Sequence, residues 1–411
     1  MPSYCLRDHL TVRAALGAGS SHAPGITVLV PALVLLLLSS LPALCAAGPV
    51  KVGVSLGLSG EYSVMARDQE RAFRLWEREI NKKGGLLGRR VELTIVDDLS
   101  DAREAVRIYK EFILQEQMDL LFAPFSSKIT AAVHPLCEEY RYPILASGAA
   151  SDELWDQGYR YLFGIFTPAE NIASYFLEML ARYQLDDLVL FYSDDPFSRS
   201  AARGIRKWAG WLKLNLKLDY QYSKKDPDYI KMVRQARRAN GRVVLLSGHF
   251  NNAVALRRAM EQEGWRPEVY YANQGPANSA FKEVLGPQAE GVFGTEQWQY
   301  LGGISNRVLE KFLRDYQEVY GVEAGYFSVA AYCSARLLSH VVELNKSLDR
   351  KELRRTLANL DKPCLTGRFK VDENGRQLRN FTLVTQWQEG ALKVVWPPGV
   401  KKSEPRWSTP E

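Results

Sequence analysis

One β-α-β unit decides the fold, and it lies in residues 51–98, KVGVSLGLSGEYSVMARDQERAFRLWEREINKKGGLLGRRVELTIVDD. Apolar side chains alternate along residues 51–58, which predicts a β-strand. Residues 66–83 repeat apolar side chains at helical spacing, and two glycines follow them as a helix stop. Residues 91–96 return to the strand period. A strand, a helix and a strand at this spacing are typical of a parallel sheet covered by helices.

The same alternation continues along the chain. Further strands are predicted at residues 120–123, 143–146, 188–192, 243–246 and 268–271. Toward the C-terminus the order changes, with helices predicted at residues 303–320 and 325–345 and strands at residues 367–371 and 381–387. At 411 residues, the chain is long enough for two cores. We therefore predict an α/β protein with two lobes built on parallel, doubly wound sheets.

The charge balance argues against a nucleic-acid-binding protein. The chain carries 53 lysines and arginines against 47 acidic residues, and its net charge is +6. The basic residues are interspersed with acids along predicted helices such as residues 67–83, as on a solvated surface. The sequence contains no zinc-finger spacing and no aromatic-plus-basic RNA motif. We expect no nucleic-acid partner.

Residues 1–48 have the composition of an export signal. Two arginines precede an apolar run at residues 26–44, and small residues follow it at positions 46–48. The run is nearly long enough to span a bilayer, so an uncleaved N-terminal anchor is the alternative. Lipid attachment at Cys45 is disfavoured because a leucine, rather than a small residue, precedes it. We expect export and cleavage near Ala47.

Cleavage at that point leaves three of the five cysteines in the exported chain. Cys137 lies in a predicted helix and is expected to be a buried apolar residue. In an oxidising compartment at most one disulfide can form among three cysteines. Whether Cys333 bonds Cys364 is open.

The sequence lacks the residue groups that an enzyme needs. The exported part contains three histidines, scattered at positions 134, 249 and 340, and no metal-ligand spacing. It has no G-x-S-x-G elbow, no P-loop and no G-x-G-x-x-G between a strand and a helix. Adjacent acids at Asp97-Asp98 and Asp194-Asp195 follow predicted strands, where such pairs are typical of caps and turns. We therefore expect a binding protein without catalytic residues, metal or cofactor.

Two polar loops follow neighbouring predicted strands, at the edge where open parallel sheets bind ligands. The first contains Phe125, Ser126 and Ser127 ahead of a helix that includes Thr130, and the second is residues 147–151. Serine hydroxyls and free N–H groups at helix starts can hold an anion, although each loop alone can equally be a helix cap. Because the loops follow neighbouring strands, we expect them to form a carboxylate site together.

A series of short motifs identifies the family that the chain resembles. They are Val52-Gly53-Val54, Leu58-Ser59-Gly60, Glu79-Ile80-Asn81, Gly84-Gly85, Gly88-Arg89, Val96-Asp97-Asp98, Tyr142-Pro143-Ile144, Glu290-Gly291-Val292 and Gly367-Arg368-Phe369-Lys370-Val371-Asp372. In this order they resemble the type I periplasmic binding proteins of ABC importers, specifically the leucine/isoleucine/valine-binding protein family. The resemblance covers nearly the whole exported chain.

The resemblance implies an α/β fold of two Rossmann-like lobes with parallel-type sheets, joined by three hinge crossovers, which close around a ligand. Lobe one takes residues 49–167 plus 302–362, lobe two takes residues 168–301 plus 363–400, and residues 401–411 form a C-terminal tail. The implied function is periplasmic capture of a small carboxylate-bearing ligand, an amino acid or a related organic acid, for an ABC permease in the inner membrane.

The resemblance also implies which residues of lobe one bind the ligand. Relatives that bind amino acids hold the α-carboxylate through positions that match Ser126, Ser127, Thr130, Ala149 and Ser151. Phe125 and Ala150 lie in the same two loops and complete the predicted set.

Lobe two departs from the family pattern. Gln274 matches the acidic residue that pairs with the ligand ammonium group in relatives that bind amino acids, and a neutral amide supplies no such charge. His249 matches an aromatic hydroxyl partner, and Phe197 matches a position where tyrosine occurs. Tyr62 and Trp298 are expected as apolar or stacking walls. We therefore expect a carboxylate whose remainder is less cationic than that of an amino acid, with an aromatic or amide-bearing group.

Two alternatives remain open. A normal amino acid fits if Asp194, Asp195 or another acid reaches its ammonium group. The protein can also be an extracytoplasmic ligand sensor that acts through a separate signalling partner, because the same fold serves in receptor domains.

Overall fold

The computed structural model describes residues 48–298 and 307–409. The predicted export signal or anchor therefore lies outside the described residues, apart from Gly48. None of the described helices is long and apolar enough to cross a membrane. The described residues belong to one compact unit, Gly48–Glu411.

The first sheet is parallel and has three strands in the order β2-β1-β3. Its strands are β1 (Val50–Leu56), β2 (Val91–Asp97) and β3 (Leu120–Leu121). β1 is buried along almost its entire length, as expected for a central strand covered on both faces. It ends two residues earlier than predicted, because the N–H of Leu58 turns back to the carbonyl oxygen of Leu56 at 2.8 Å.

Helices cover the sheets. The α-helices of the described residues are α1 (Ser63–Lys82), α2 (Ala102–Leu114), α3 (Ser127–Glu139), α4 (Ser174–Arg182), α5 (Pro196–Leu212), α6 (Tyr229–Arg238), α7 (Phe250–Gln262), α8 (Ser279–Leu285), α9 (Arg307–Tyr320), α10 (Tyr326–Asn345) and α11 (Arg350–Asn359). α10 is buried around most of its circumference and packs against α1, where the indole N–H of Trp76 donates to Ser339 Oγ at 2.9 Å.

The second sheet has seven strands in the order β14-β13-β10-β9-β8-β6-β7. Its strands are β6 (Asp187–Ser193), β7 (Asn215–Tyr222), β8 (Val243–Ser247), β9 (Val269–Ala272), β10 (Phe293–Glu296), β13 (Leu383–Gln388) and β14 (Ala391–Trp396). β6 to β10 pair in parallel, whereas β13 pairs antiparallel with β10 and β14. β14 is absent from the sequence prediction. It returns through a tight hairpin turn at Glu389-Gly390, where φ is 55° and 74°.

Two short sheets complete the described structure. β4 (Ile144–Ala146) pairs in parallel with β5 (Leu162–Gly164), and β11 (Lys362–Cys364) pairs antiparallel with β12 (Gly367–Phe369). The predicted α/β class with mainly parallel sheets is confirmed. The lobe boundaries stay a prediction.

The disulfide that the sequence left open is present. Cys333 on α10 bonds Cys364 on β11, with Cα atoms 6.1 Å apart and a sequence separation of 31. Cys137 on α3 is a buried free thiol.

Candidate functional site

The first polar loop brings two serines to the start of α3. Ser126 is the N-cap, and its Oγ accepts a hydrogen bond from the Ile129 N–H at 3.4 Å. Its φ is 115°, a region that residues with a side chain rarely adopt. Such a conformation costs on the order of 1–3 kcal/mol and persists where the surrounding fold imposes it. In this conformation Ser126 and Ser127 both line one cavity.

Ser127 connects the two polar loops. Its Oγ accepts hydrogen bonds from the backbone N–H groups of Ala150 at 3.1 Å and Ser151 at 3.0 Å. Both groups belong to the loop that was expected to help hold a carboxylate, and here they are already paired. A serine hydroxyl also has one proton to donate, and none of the described residues accepts it from Ser127. The Ser127 hydroxyl can therefore donate a hydrogen bond into the cavity.

A buried acid–imidazole pair, Asp195 and His249, lies at the carboxyl ends of β6 and β8 in the second sheet. Asp195 caps α5, and its Oδ1 lies 3.4 Å from His249 Nε2 and accepts from the Ser198 N–H at 3.0 Å. Its Oδ2 accepts from the hydroxyls of Ser193 and Ser198. Burial acts to raise the pKa of Asp195, but His249 and the two hydroxyls outweigh it and hold the pKa below its usual range. Asp195 is therefore ionised and committed to these partners.

Neither acid of the Asp194-Asp195 pair lines the cavity. Asp194 is exposed, and its Oδ1 accepts from the backbone N–H of Lys224 at 3.2 Å. Their positions therefore do not support the alternative that Asp194 or Asp195 pairs with the ammonium group of an amino acid ligand.

Two glutamines face the same cavity. Gln274 Oε1 accepts a hydrogen bond from Tyr326 Oη at 3.0 Å, and Gln297 Oε1 accepts one from the Thr167 N–H at 2.7 Å. These hydrogen bonds use the amide oxygen of each glutamine, and neither amide nitrogen has an acceptor among the described residues. The glutamines can thus donate hydrogen bonds to an anionic or carbonyl-bearing ligand.

The cavity between these groups is small, about 20 Å³. This is room for one water molecule, so an organic ligand enters only when the walls move apart. The lining residues are Phe125, Ser126, Ser127, Gly148, Ala150, Phe166, Phe197, His249, Gln274, Gln297 and Phe327. Four phenylalanines thus surround two hydroxyls, two amides and one imidazole, and no carboxylate is among the lining residues.

Seven of the twelve predicted site residues line this cavity: Phe125, Ser126, Ser127, Ala150, Phe197, His249 and Gln274. Tyr62 lies beside it, with its ring centre 5.5 Å from that of Phe125 and 5.2 Å from that of His249.

The other four predicted residues are placed elsewhere. The Thr130 hydroxyl donates to the Pro124 carbonyl oxygen at 3.0 Å, and the Ser151 hydroxyl donates to the Pro196 carbonyl oxygen at 3.1 Å. Ala149 is buried and does not line the cavity. Trp298 lines a different and larger cavity.

The sequence reasoning missed Phe166, Gln297 and Phe327, and it placed Gly148 in the second polar loop without naming it as a site residue. The two phenylalanines carried no signal, because a single phenylalanine beside a helix or strand usually belongs to a core. Gly148 is needed for packing, since a side chain there would stand 2.5 Å from the ring of Phe125. Gln297 had a weak signal, because it directly precedes the predicted Trp298 at the end of a strand.

A lysine connects the loop after β7 to the loop after β1. Lys224 Nζ lies 2.6 Å from Glu61 Oε2 and donates to Tyr62 Oη at 3.0 Å. Burial acts to lower the pKa of Lys224, but Tyr62 and Glu61 outweigh it and raise the pKa above its usual range. The ammonium group therefore stays charged and holds Tyr62 against the cavity.

A second cavity of about 910 Å³ lies beside the first. Its walls include Asp68 and Arg71 on α1, Asn278 before α8, Glu296 at the end of β10, and Trp298. The Asn278 amide donates to Asp68 Oδ2 at 3.0 Å. Burial raises the pKa of Asp68 to about 7.

Comparison with known proteins gives one family match. Residues 49–391 match the family model described as periplasmic binding protein. Among curated relatives, the Leu/Ile/Val-binding protein homolog 7 of Brucella abortus is 24% identical over 383 residues, which cover 88% of this chain and 94% of the relative. Homolog 8 of Brucella suis is also 24% identical, over 382 residues, with 88% and 93% covered.

Solved structures share the fold. A leucine-binding protein from Thermotoga maritima superposes with a TM-score of 0.75 at 20% identity, covering 84% of this chain and 97% of that one. The branched-chain amino acid transporter substrate-binding protein from Streptococcus pneumoniae, in complex with isoleucine, gives 0.76 at 19% identity, with 85% and 100% covered. A solute-binding protein from R. palustris, in complex with benzoate, gives 0.73 at 18% identity, with 85% and 96% covered.

Proposed function

The chain belongs to the periplasmic binding protein family, and on this premise we propose that it captures a small aromatic carboxylate, without an α-ammonium group, for an ABC importer. The family resemblance found in the motifs is thereby confirmed. Members of the family are extracytoplasmic solute-binding proteins and not enzymes. The ligand class, the permease partner in the inner membrane and export through residues 1–48 are parts of the proposal.

The composition of the small cavity carries the proposal. A zwitterionic amino acid needs a carboxylate or several oxygen acceptors for its ammonium group, because an unpaired buried charge is costly. The lining residues offer no carboxylate, and Gln274 Oε1 is already engaged by Tyr326. The donors that remain, the Ser127 hydroxyl and the two glutamine amides, suit an anion.

The phenylalanines set the shape of the remainder of the ligand. Phe327 contacts both Phe125 and Phe166 edge to face, with ring centres 5.2 Å and 5.7 Å apart respectively. Aromatic side chains pack favourably against a further ring in tilted or offset geometry. Benzoate in the R. palustris relative supports this ligand class, whereas isoleucine in the S. pneumoniae relative supports the aliphatic amino acid as the competing ligand.

A ligand screen tests the proposal. The compact unit, residues 48–411, is titrated by thermal shift and calorimetry with benzoate, 3,4-dihydroxybenzoate, leucine and isoleucine. We expect an aromatic acid to raise the melting temperature and to bind at least about ten-fold more tightly than leucine. Gln274→Glu should reverse this order, because it restores an acid where an ammonium group would lie. Tighter binding of leucine by the unmodified protein, or binding of none of the four, contradicts the proposal.

A further inference from the structure

Glu296 is a buried carboxylate with a free oxygen. It is the last residue of β10, and 5% of its surface is exposed. Its Oε2 is buried and has no hydrogen-bond partner in the described structure. Buried polar atoms are nearly always paired, so an unpaired carboxylate oxygen calls for an explanation. Burial raises the pKa of Glu296 well above its usual range.

The free carboxylate belongs to the 910 Å³ cavity and not to the small one. Successive residues at the end of β10 alternate between the two: Glu296 and Trp298 line the larger cavity, and Gln297 lines the smaller. Asp68, another acid of the larger cavity, already has partners. Its Oδ2 accepts a hydrogen bond from the Asn278 amide at 3.0 Å, and its Oδ1 lies 3.9 Å from Arg71 Nη1. The Oε2 atom of Glu296 is therefore a buried carboxylate oxygen in this wall that has no partner among the described residues.

Tyr326 lies between residues of the two cavities, because Gly325 before it lines the larger cavity and Phe327 after it lines the small one. Gln274 lines the small cavity and accepts from Tyr326 Oη at 3.0 Å. Burial raises the pKa of Tyr326. The phenol group thus contacts the wall of the small cavity through Gln274.

We propose that Glu296 is the counter-ion for a cationic group of the ligand, so that the larger cavity takes an amine or guanidine carried at a distance from the carboxylate. The inference rests on the proposed function, because the carboxylate end is taken to bind near Ser127. It deepens that function by naming the ligand class: an aromatic acid with a distal cation, as distinct from an α-amino acid. Trp298 and Trp387 also line this cavity, and tryptophan rings attract cations, as Lys282 Nζ does 5.8 Å from the ring centre of Trp387.

Three carboxylates of similar size test the site: benzoate, 4-(aminomethyl)benzoate and 4-(hydroxymethyl)benzoate. The second carries a distal ammonium group, and the third replaces it with a neutral hydroxyl. We expect the unmodified protein to bind the aminomethyl compound at least about ten-fold more tightly than the hydroxymethyl compound. Glu296→Gln should abolish this preference while leaving benzoate affinity within about three-fold, a change of less than 1 kcal/mol.

The matched control is Glu139→Gln, which makes the same change at an exposed position at the end of α3, outside both cavities. It should keep the preference. Calorimetry in buffers of different ionisation enthalpy adds an independent readout, because a cation that ionises Glu296 near pH 7 releases a proton. This release should be absent with the hydroxymethyl compound and in Glu296→Gln.

The outcomes separate the two proposals. Equal affinity for the aminomethyl and hydroxymethyl compounds, or a preference that survives in Glu296→Gln, overturns the cation site and leaves the carboxylate function standing. Binding of none of the three overturns both. Melting temperatures of the variants close to that of the unmodified protein exclude misfolding as the cause of any loss.

Discussion

The ammonium nitrogen of Lys224 lies 3.0 Å from the phenol oxygen of Tyr62, and its charge lies over the Tyr62 ring, 5.1 Å from the ring centre. Tyr62 in turn packs against Phe125 and His249, which line the small cavity from the two sheets. The lysine thus stabilises the arrangement in which the walls are close together.

We predict that Lys224→Met weakens binding of an aromatic carboxylate by about ten-fold, equivalent to about 1.4 kcal/mol, because the bound arrangement loses this contact. Calorimetry measures the affinity, and small-angle scattering should show a larger radius of gyration for the unliganded variant. Lys225→Met, which removes an exposed lysine next in the chain, is the control and should bind as the unmodified protein does. An unchanged affinity in Lys224→Met would show that the contact does not contribute.

Ser127→Ala should lower the free energy of unfolding by about 1–3 kcal/mol even without ligand, because the buried N–H groups of Ala150 and Ser151 lose their acceptor. Denaturant titration measures the change. Ser223→Ala removes an exposed hydroxyl and should stay within about 0.5 kcal/mol. If the two variants are equally stable, a relaxed loop or water replaces the hydroxyl, and the role assigned to Ser127 is wrong.

The raised pKa of Asp68 predicts that the stability of the protein depends on pH. Burial raises its pKa to about 7 in the folded protein, whereas an unfolded aspartate has a pKa of about 3.9. Between these values the folded state holds a proton that the unfolded state has released, so the stabilising contribution is lost as the pH rises toward 7.

Asp68→Asn should remove this contribution. The free energy of unfolding of the variant, minus that of the unmodified protein, should increase from pH 5 to pH 7 by up to about 1.4 kcal/mol per pH unit. Urea titrations at pH 5, 6, 7 and 8 measure the difference, with the exposed Asp226→Asn as a control for the loss of one charge. A difference that does not vary with pH would contradict the prediction.

The disulfide between Cys333 and Cys364 closes a sequence separation of 31 residues. A loop of this length predicts a stabilisation of about 3–4 kcal/mol through the unfolded chain. The double variant Cys333→Ala, Cys364→Ala should lose this amount and become insensitive to reductant. Cys137→Ala removes the buried free thiol and should keep the reductant sensitivity. If the double variant is as stable as the oxidised protein, the predicted stabilisation by the disulfide is wrong.

Much of the fold followed from local patterns. The alternation in residues 51–58 and the helical spacing in residues 66–83 predicted β1 and α1, because side-chain periodicity reflects which face is buried. β14 was not predicted, because residues 391–396 do not alternate regularly between apolar and polar side chains. The hairpin turn before them determines that they pair with β13. The open question of Cys333 and Cys364 also needed the fold, because cysteine count does not determine which sulfurs come close.

The sequence by itself determined that polar loops at strand ends, around Ser127 and around Ala150, meet at one edge of a parallel arrangement, since the carboxyl ends of parallel strands share that edge. Only the tertiary structure decided what surrounds them. Phe166 and Phe327 are far apart in sequence and resemble core residues, so their place in the cavity depends on how the sheets and α10 pack. The same holds for Glu296: a strand's alternation limits a side chain to one of two faces, but packing decides whether that face meets a partner, a core or a cavity.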